Sequence, residues 1–281
     1  MAVVKRTLPS APAPQKSSVV VANAPAFVLP TGPSVPSTDM GDYSILLFGE
    51  KKIGKTSLAA QFPDALLLML EPGAKALVVH QVPILTWDQL KQAVKVLVPN
   101  RRYKTIVIDT VDLAYMMCER AVCARLSINH PSDEEWGKGW AAVRDEFTQW
   151  AQAMTNMGKG VIFISHAVER EIKTRGGVKY DRFQPTLTGA ARNIVEGMVD
   201  MWMFYTYDDK RRVLTIRGDE HVMAGHRMQE NFRWGSEDIR TIRMDPSPER
   251  GYAALVGAFQ NRYNPTTHEV ATVAPRAKGK K

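Results

Sequence analysis

The sequence predicts an α/β fold: a mostly parallel central sheet flanked by helices and extended by antiparallel strands. Three observations predict it. Short apolar runs at 45–48, 65–70, 104–109 and 160–165 alternate with stretches of helical spacing, the pattern of βα units. A Gly49-x-x-x-x-Gly54-Lys55-Thr56 pattern sits between the first run and the first helix. Past residue 198 the alternation stops, and runs near 199–205 and 213–217 follow one another, as antiparallel neighbours do.

Residues 43–62 are the most informative stretch. The run 45–48 reads as a strand buried on both faces. The loop after it spans Gly49, Glu50, Lys51, Lys52, Ile53 and Gly54, and Lys55, Thr56 and Ser57 open a helix. Such a loop turns backbone N–H groups inward and puts a helix N-terminus behind a phosphate. Gly49 and Gly54 permit the positive φ and close approach that a Cβ blocks. Lys55 suits the β- and γ-phosphates, and the Thr56 hydroxyl suits Mg²⁺, which takes few protein ligands. ATP and Mg²⁺ are the cofactors this loop predicts. A chance Gly/Lys-rich turn is the alternative; the strand before and helix after argue against it. No Asn-Lys-x-Asp guanine signature occurs, which argues against a GTPase.

The rest follows in order. Strand 65–70 closes on Glu71-Pro72-Gly73, and a short strand at 82–85 leads to Thr86-Trp-Asp-Gln89, a capping box for a helix to about 97. The run 104–109 ends in an acid, and a helix over 111–127 follows. Residues 129–139 read as a polar loop. Trp140, Val143, Phe147, Trp150, Ala151, Met154 and Met157 then share one helical face and read as core. Strand 160–165 precedes His166; the polar stretch 169–184 is centred on Gly176-Gly177; helices are predicted at 189–196 and 247–260.

Composition bounds the rest. With 281 residues, 44% hydrophobic and 23% charged, the chain is globular, sized for one large or two small domains. No stretch approaches the ~18 apolar residues of a membrane span, and the run 19–22 is too short for a signal core. A cytoplasmic protein with no membrane partner is expected. Cys118 and Cys123 share one helix without metal-ligand spacing and read as buried free thiols. Of the net charge of +8, residues 1–40 carry +2 and residues 262–281 carry +4, so the folded middle is nearly balanced. The basicity therefore describes the tails more than any active surface. Residues 1–40, rich in Ala, Pro and Ser, and the basic segment 263–281 are expected to be disordered, which leaves 41–262 as the folded domain.

Three strand ends carry chemistry. The run ending at Asp109 reads as a Mg²⁺-holding strand; an acid capping the next helix is the alternative, and Asp112 suits that role better. Thr110, not Glu, follows Asp109, so the catalytic glutamate usual in AAA+ machines is absent there. Glu71 becomes the candidate base, against a solvated turn glutamate, and His166 is either a γ-phosphate sensor or a capping histidine. The catalytic set is thus Glu71, Lys55 and His166, with Thr56 and Asp109 on the metal.

This set resembles the RecA superfamily: P-loop, glutamate ending the second strand, Asp109 strand, and a polar residue ending the strand before a mobile loop. It is most similar to the small phage AAA-domain, RecA-like single-strand annealing or recombination ATPases, over about 43–232. The resemblance implies a RecA-like ATPase domain at 41–262. It implies a Mg²⁺-dependent, DNA-stimulated ATPase that binds single-stranded DNA in recombination, annealing or repair. It also implies a homo-oligomer, a single-stranded-DNA-binding protein as a further partner, and the host cell cytoplasm if phage-encoded. It makes 169–184 a mobile DNA-binding loop, with Arg170, Lys173, Arg175, Lys179, Tyr180 and Arg182 as contacts, and Phe183 as a second stacking ring. From the residues alone an ordinary surface hairpin is equally good, because Glu169, Glu171 and Asp181 cut the local charge to +2. Arg217 and Arg227 fall where such proteins reach a neighbour's γ-phosphate; His221 and Arg192 are further cations on offer. The alternative function is a nucleotide-dependent assembly or loading factor that acts on a protein without touching DNA. A small-molecule kinase is disfavoured, since no substrate lid is visible.

Overall fold

A computed structural model describes residues 29–273. The expectations for 1–28 and 274–281 lie outside those residues. Contacts divide the chain into Met1–Pro36 and a body from Ser37 onward; the described part of the first unit, 29–36, is irregular.

The body runs β1 (Ser44–Gly49), α1 (Lys55–Ala59), β2 (Ala65–Met69), β3 (His80–Pro83), α2 (Trp87–Leu97), β4 (Thr105–Asp109), α3 (Val111–Leu126) and α4 (Lys138–Thr155). It continues with β5 (Gly160–Lys173), β6 (Lys179–Pro185), α5 (Gly189–Met198), β7 (Met201–Asp208), β8 (Arg211–Thr215), β9 (Gly225–His226), β10 (Arg233–Trp234), β11 (Glu237–Asp238), β12 (Thr241–Met244) and α6 (Pro248–Phe259). The main sheet is ordered β12-β8-β7-β1-β5-β4-β2-β3. Strands β3, β2, β4, β5, β1 and β7 are parallel, and β8 and β12 add antiparallel strands at one edge. This is the predicted class.

The period-2 alternation of each strand divides the core. Ile45, Leu47, Leu67, Val107, Ile162 and Met203 face α1 and α6, meeting Leu58, Leu255 and Phe259. Leu46, Leu66, Ile106, Val161 and Phe163 face the other way, meeting Leu90, Val122, Phe147, Trp150 and Val195 of α2 to α5. The predicted capping box on α2 forms, with Thr86 and Gln89 bonding reciprocally. Helix α1 is short because Pro63 removes an N–H and restricts the residue before it.

Several expectations are corrected. The segment 169–184 is a paired hairpin rather than a mobile loop: β5 runs on past Ser165 through Lys173 and pairs with β6 from Ala167↔Pro185 to Lys173↔Lys179. The apolar run ends where the strand leaves the core, not where the strand ends. Trp140 is 39% exposed, packed edge-on to His130 instead of joining the core. Two single 3-10 turns interrupt the predicted loop at 129–139. Cys118 and Cys123 are buried and unpaired, and burial pushes the Cys118 thiol up to about 12.

The tail boundary also moves. Tyr263 is fully buried, its hydroxyl accepts from the Arg243 N–H at 2.8 Å and contacts His268 Nδ1 at 2.9 Å, and it bridges to Val270. Residues 263–270 therefore belong to the packed body, which single-residue composition does not reveal. Tyr263→Phe keeps the ring and removes both polar contacts. It is expected to cost about 1 kcal/mol and to lower the thermal midpoint by a few degrees, readable by calorimetry.

Candidate nucleotide site

The parallel register brings the predicted groups to one edge of the sheet. Gly49 lies level with His166 on β5, Asp109 lies level with Met69, and Glu71 follows two residues beyond Met69. β5 stands between the P-loop strand β1 and the Asp109 strand β4.

The two glycines work differently. Gly54 has φ of 111°, a left-handed conformation that side chains resist. Gly49 is needed for proximity: a Cβ there would sit 2.0 Å from the Tyr205 carbonyl oxygen. The Glu50 N–H donates to that same carbonyl at 3.2 Å, and the Thr206 hydroxyl donates to Glu50 Oε1 at 2.6 Å. The start of the loop is thus strapped to β7.

Lys55 is buried and folded back over the loop. Its Nζ donates to the Gly49 carbonyl at 2.9 Å and the Glu50 carbonyl at 2.7 Å, and lies 3.4 Å from His166 Nδ1. Burial lowers its pKa to about 8, a shift partly offset by Asp109, Glu71, Asp112 and Glu50. An ammonium only donates, so in a hydrogen bond between the two Nδ1 of His166 is the acceptor. The His166 Nε2 points to Glu71 Oε1 at 3.4 Å. Lys55, His166 and Glu71 form a chain of contacts across three strand ends.

Thr56 Oγ1 donates to Asp109 Oδ2 at 2.6 Å. Burial raises the Asp109 pKa, and the Thr56 hydrogen bond and Lys55 oppose that rise. A hydroxyl and a carboxylate in contact at the mouth of a P-loop fit a hard cation completed by phosphate oxygens and water. Among the described residues no cluster of three or more acids, histidines or cysteines forms an all-protein metal cage, the pattern Mg²⁺ rarely needs. Asp112 Oδ1 accepts from the Thr186 hydroxyl at 2.7 Å, while its buried Oδ2 has no partner. Asp112 thus anchors the base of the hairpin to the start of α3.

The hairpin sorts its side chains by face. Lys173, Lys179, Glu171, Asp181 and Glu169 share one face, and Lys179 pairs with Glu171 at 2.8 Å. Arg170, Tyr180 and Arg182 share the other face, which carries no acid. Arg182 donates to the Asp219 carbonyl at 3.2 Å, and Tyr180 packs edge-on to His221. Arg175 stands at the turn, next to Gly176-Gly177, where Gly177 has φ of 86°. Phe183 is stacked on Phe204 in the body at 5.2 Å, so it offers no ring to a base. Arg192 contacts Gln184.

Arg217 and Arg227 lie away from the P-loop end of the sheet. Arg217 follows β8 beyond Thr215 and pairs with Asp238 at 3.3 Å. Arg227 follows β9, its N–H donates to the Asp200 carbonyl, and its guanidinium donates to the Gly197 carbonyl at 2.7 Å. Neither reaches Lys55 of its own chain.

Sequence reasoning missed Thr206, Tyr207, Arg212 and Thr186. The first two hold Glu50, Thr186 holds Asp112, and Arg212 packs beside Gly54. No local pattern marks them.

The model of the family described as AAA domain matches residues 42–228. The SPbeta prophage-derived uncharacterized protein YorG of Bacillus subtilis (strain 168) is 30% identical over 132 residues, 44% of this chain and 41% of that protein. The match spans about two fifths of that relative's length. A KaiC-like protein, PH0186, from Pyrococcus horikoshii OT3 superposes with a TM-score of 0.42 at 15% identity, covering 75% of this chain and 88% of that one.

Proposed function

The chain belongs to the AAA domain family, and on that premise we propose that it is a RecA-like P-loop ATPase that hydrolyses ATP with Mg²⁺ to control single-stranded DNA held on the β5–β6 hairpin. The observation that carries the reading is the continuity of β5. His166, in contact with Lys55 and Glu71, and Arg170, on the acid-free face of the hairpin, stand four residues apart on one unbroken strand. At about 3.3 Å per residue that is roughly 13 Å of rigid backbone between nucleotide and DNA.

The residues divide the work. The loop N–H groups and Lys55 hold the β- and γ-phosphates, Lys55 exchanging its two carbonyl contacts for phosphate oxygens. Thr56 and Asp109 hold Mg²⁺, which when bound neutralises charge developing on the phosphates. Glu71 orients and deprotonates the attacking water. His166 reports the γ-phosphate through its contacts with Lys55 and Glu71. Arg170, Arg175 and Arg182 neutralise DNA phosphates and Tyr180 stacks on a base.

The prophage-derived relative supports a phage link, and recombination, annealing or repair within a host cell is the role that belongs to this reading. A homo-oligomer belongs to the same reading, with Arg217 and Arg227 on the surface that meets a neighbour. Among the described residues, no helix is long and apolar enough to cross a membrane.

Replacing Arg170 and Arg175 by alanine tests the hairpin. Titrating labelled oligo(dT) over a range of salt, the logarithmic slope is expected to fall by about 1.4, roughly 0.7 per lost phosphate contact on a single strand. An unchanged slope moves DNA off the hairpin. Absence of binding by the unaltered chain leaves the protein-directed loading factor as the better reading.

A further inference from the structure

The P-loop has a second side. In the sheet, β5 and β4, which carry His166 and Asp109, lie to one side of β1, and β7 and β8 lie to the other. On that other side, between the loop, β8 and the start of α6, is a cavity of about 250 Å³ whose lining includes Lys52, Gly54, Ser57, Arg212, Pro246 and Pro248. Thr56 and Ser57 divide between the two sides: the Thr56 hydroxyl meets Asp109, and Ser57 lines the cavity. A triphosphate laid along the loop with its γ-phosphate toward Glu71 and His166 therefore brings its α-phosphate to Ser57 and its nucleoside end to the cavity.

The cavity wall on the α6 side is fixed by its own chemistry. Pro246 and Pro248 lock two backbone φ angles of the turn into α6. Asp245 ties the same turn down, its Oδ1 accepting from the Ser247 N–H at 2.8 Å and from the Arg250 guanidinium at 2.9 Å. Leu58 and Tyr205, both buried, complete an apolar part of the lining.

Arg212 reaches into this space from β8. It shares a sheet face with Tyr205 and Tyr207, and Tyr207 stands directly opposite it in register. Its Nη1 donates to the Pro246 carbonyl at 3.2 Å and lies 3.8 Å from where a Cβ would stand on Gly54. The Tyr207 hydroxyl raises its pKa, and Tyr205 acts the same way. Among the described residues it pairs with no carboxylate. Hydrogen bonds to a guanidinium lie in its plane, so these contacts hold the group and occupy neither of its flat faces.

We propose that this cavity holds the base and ribose of the nucleotide, and that Arg212, stacked on the base, makes the site prefer a purine to a pyrimidine. The proposal rests on the reading of the protein as an ATPase and names the specificity-determining residue of that same site. A planar cation over an aromatic ring gains from cation–π attraction and from contact area, and a two-ring base offers more of both. Pro246 and Pro248 add apolar surface that costs no side-chain freedom when a ligand covers it.

The test uses the full chain with Mg²⁺ and three probes: ATP, CTP and inorganic tripolyphosphate, which has the phosphates without a nucleoside. Isothermal titration of the unaltered chain is expected to show ATP bound about tenfold more tightly than CTP, the size of a partly desolvated cation–π contact. Arg212→Gln is expected to erase most of that preference and to leave tripolyphosphate affinity unchanged. Arg212→Lys keeps the charge without the plane and is expected to behave as Arg212→Gln does. An unchanged thermal midpoint without nucleotide shows that both variants remain folded, and the comparison of ATP with CTP in the unaltered chain needs no variant. Equal affinity of the unaltered chain for ATP and CTP overturns the proposal, as does full ATP affinity in Arg212→Lys. A parallel loss of ATP and tripolyphosphate in Arg212→Gln assigns Arg212 to the phosphates and overturns it too. In these outcomes phosphates still bind the unaltered chain and the P-loop reading stands. No binding of ATP or tripolyphosphate by the unaltered chain overturns the P-loop reading and the proposal together.

Discussion

Lys55→Ala abolishes nucleotide binding and leaves the body folded. Lys55 is buried, yet its ammonium contacts only loop carbonyls and His166, so alanine removes the phosphate-facing charge without touching either hydrophobic layer. Titration with a fluorescent ATP analogue reads the loss, and an unchanged thermal midpoint without nucleotide shows the fold is intact. The unaltered protein carries a pH signature of the same residue. Without nucleotide the Lys55 pKa is lowered to about 8, chiefly by burial. A bound phosphate raises it, so the complex holds the proton at pH values where the free protein has lost it. Below about 8 both forms are protonated and affinity is flat. Above that, binding must take up a proton, and affinity falls by up to about tenfold per pH unit until the pKa of the complex is reached. Isothermal titration in buffers of different ionisation enthalpy counts the proton. Affinity independent of pH from 7 to 10 contradicts the placement of this ammonium on the phosphates.

Glu71→Gln separates binding from hydrolysis. Glu71 stands beyond the end of β2, touching His166 Nε2, and Thr110 leaves no acid next to Asp109. The amide keeps the shape and a contact to His166 but takes no proton from water. Loss of a general base costs about 10²–10⁴ in rate. Lys55, Thr56 and Asp109 remain, so ATP and Mg²⁺ affinity hold. Single-turnover hydrolysis beside equilibrium binding reads both quantities. Turnover near that of the unaltered protein removes Glu71 from the chemistry and turns attention to Asp112, whose Oδ2 is buried and unpartnered, and to Glu50.

Local chemistry was legible in the sequence; contacts made by strand order were not. The P-loop is readable because its strand, glycines, lysine and hydroxyl lie within a dozen residues. Asp109 and Glu71 are readable as strand-end acids, because a parallel sheet collects its carboxyl ends on one edge. The brace of Glu50 by Thr206 and the packing of Arg212 beside Gly54 join residues about 150 positions apart. They exist only because β7 pairs with β1 and β8 with β7. The hairpin shows a different limit. The apolar run stops at Ser165, where the core stops, yet Val168, Arg170 and Ile172 share a strand face with Tyr180 and Arg182. Period-2 alternation around Gly176-Gly177 carried that signal, and charge content obscured it. Pairing also decides which cations matter, since it sets Lys179 against Glu171 and leaves Arg170 on a face without acids.

The most direct measurement is the steady-state rate of ATP hydrolysis by the purified full chain with Mg²⁺, with and without oligo(dT). The continuous β5 strand from His166 to Arg170 predicts hydrolysis without DNA and a higher rate with the single strand bound. Hydrolysis at the same rate in both contradicts the coupling between hairpin and nucleotide site, and no hydrolysis in either contradicts the assignment of Lys55, Asp109 and Glu71 to a working ATPase.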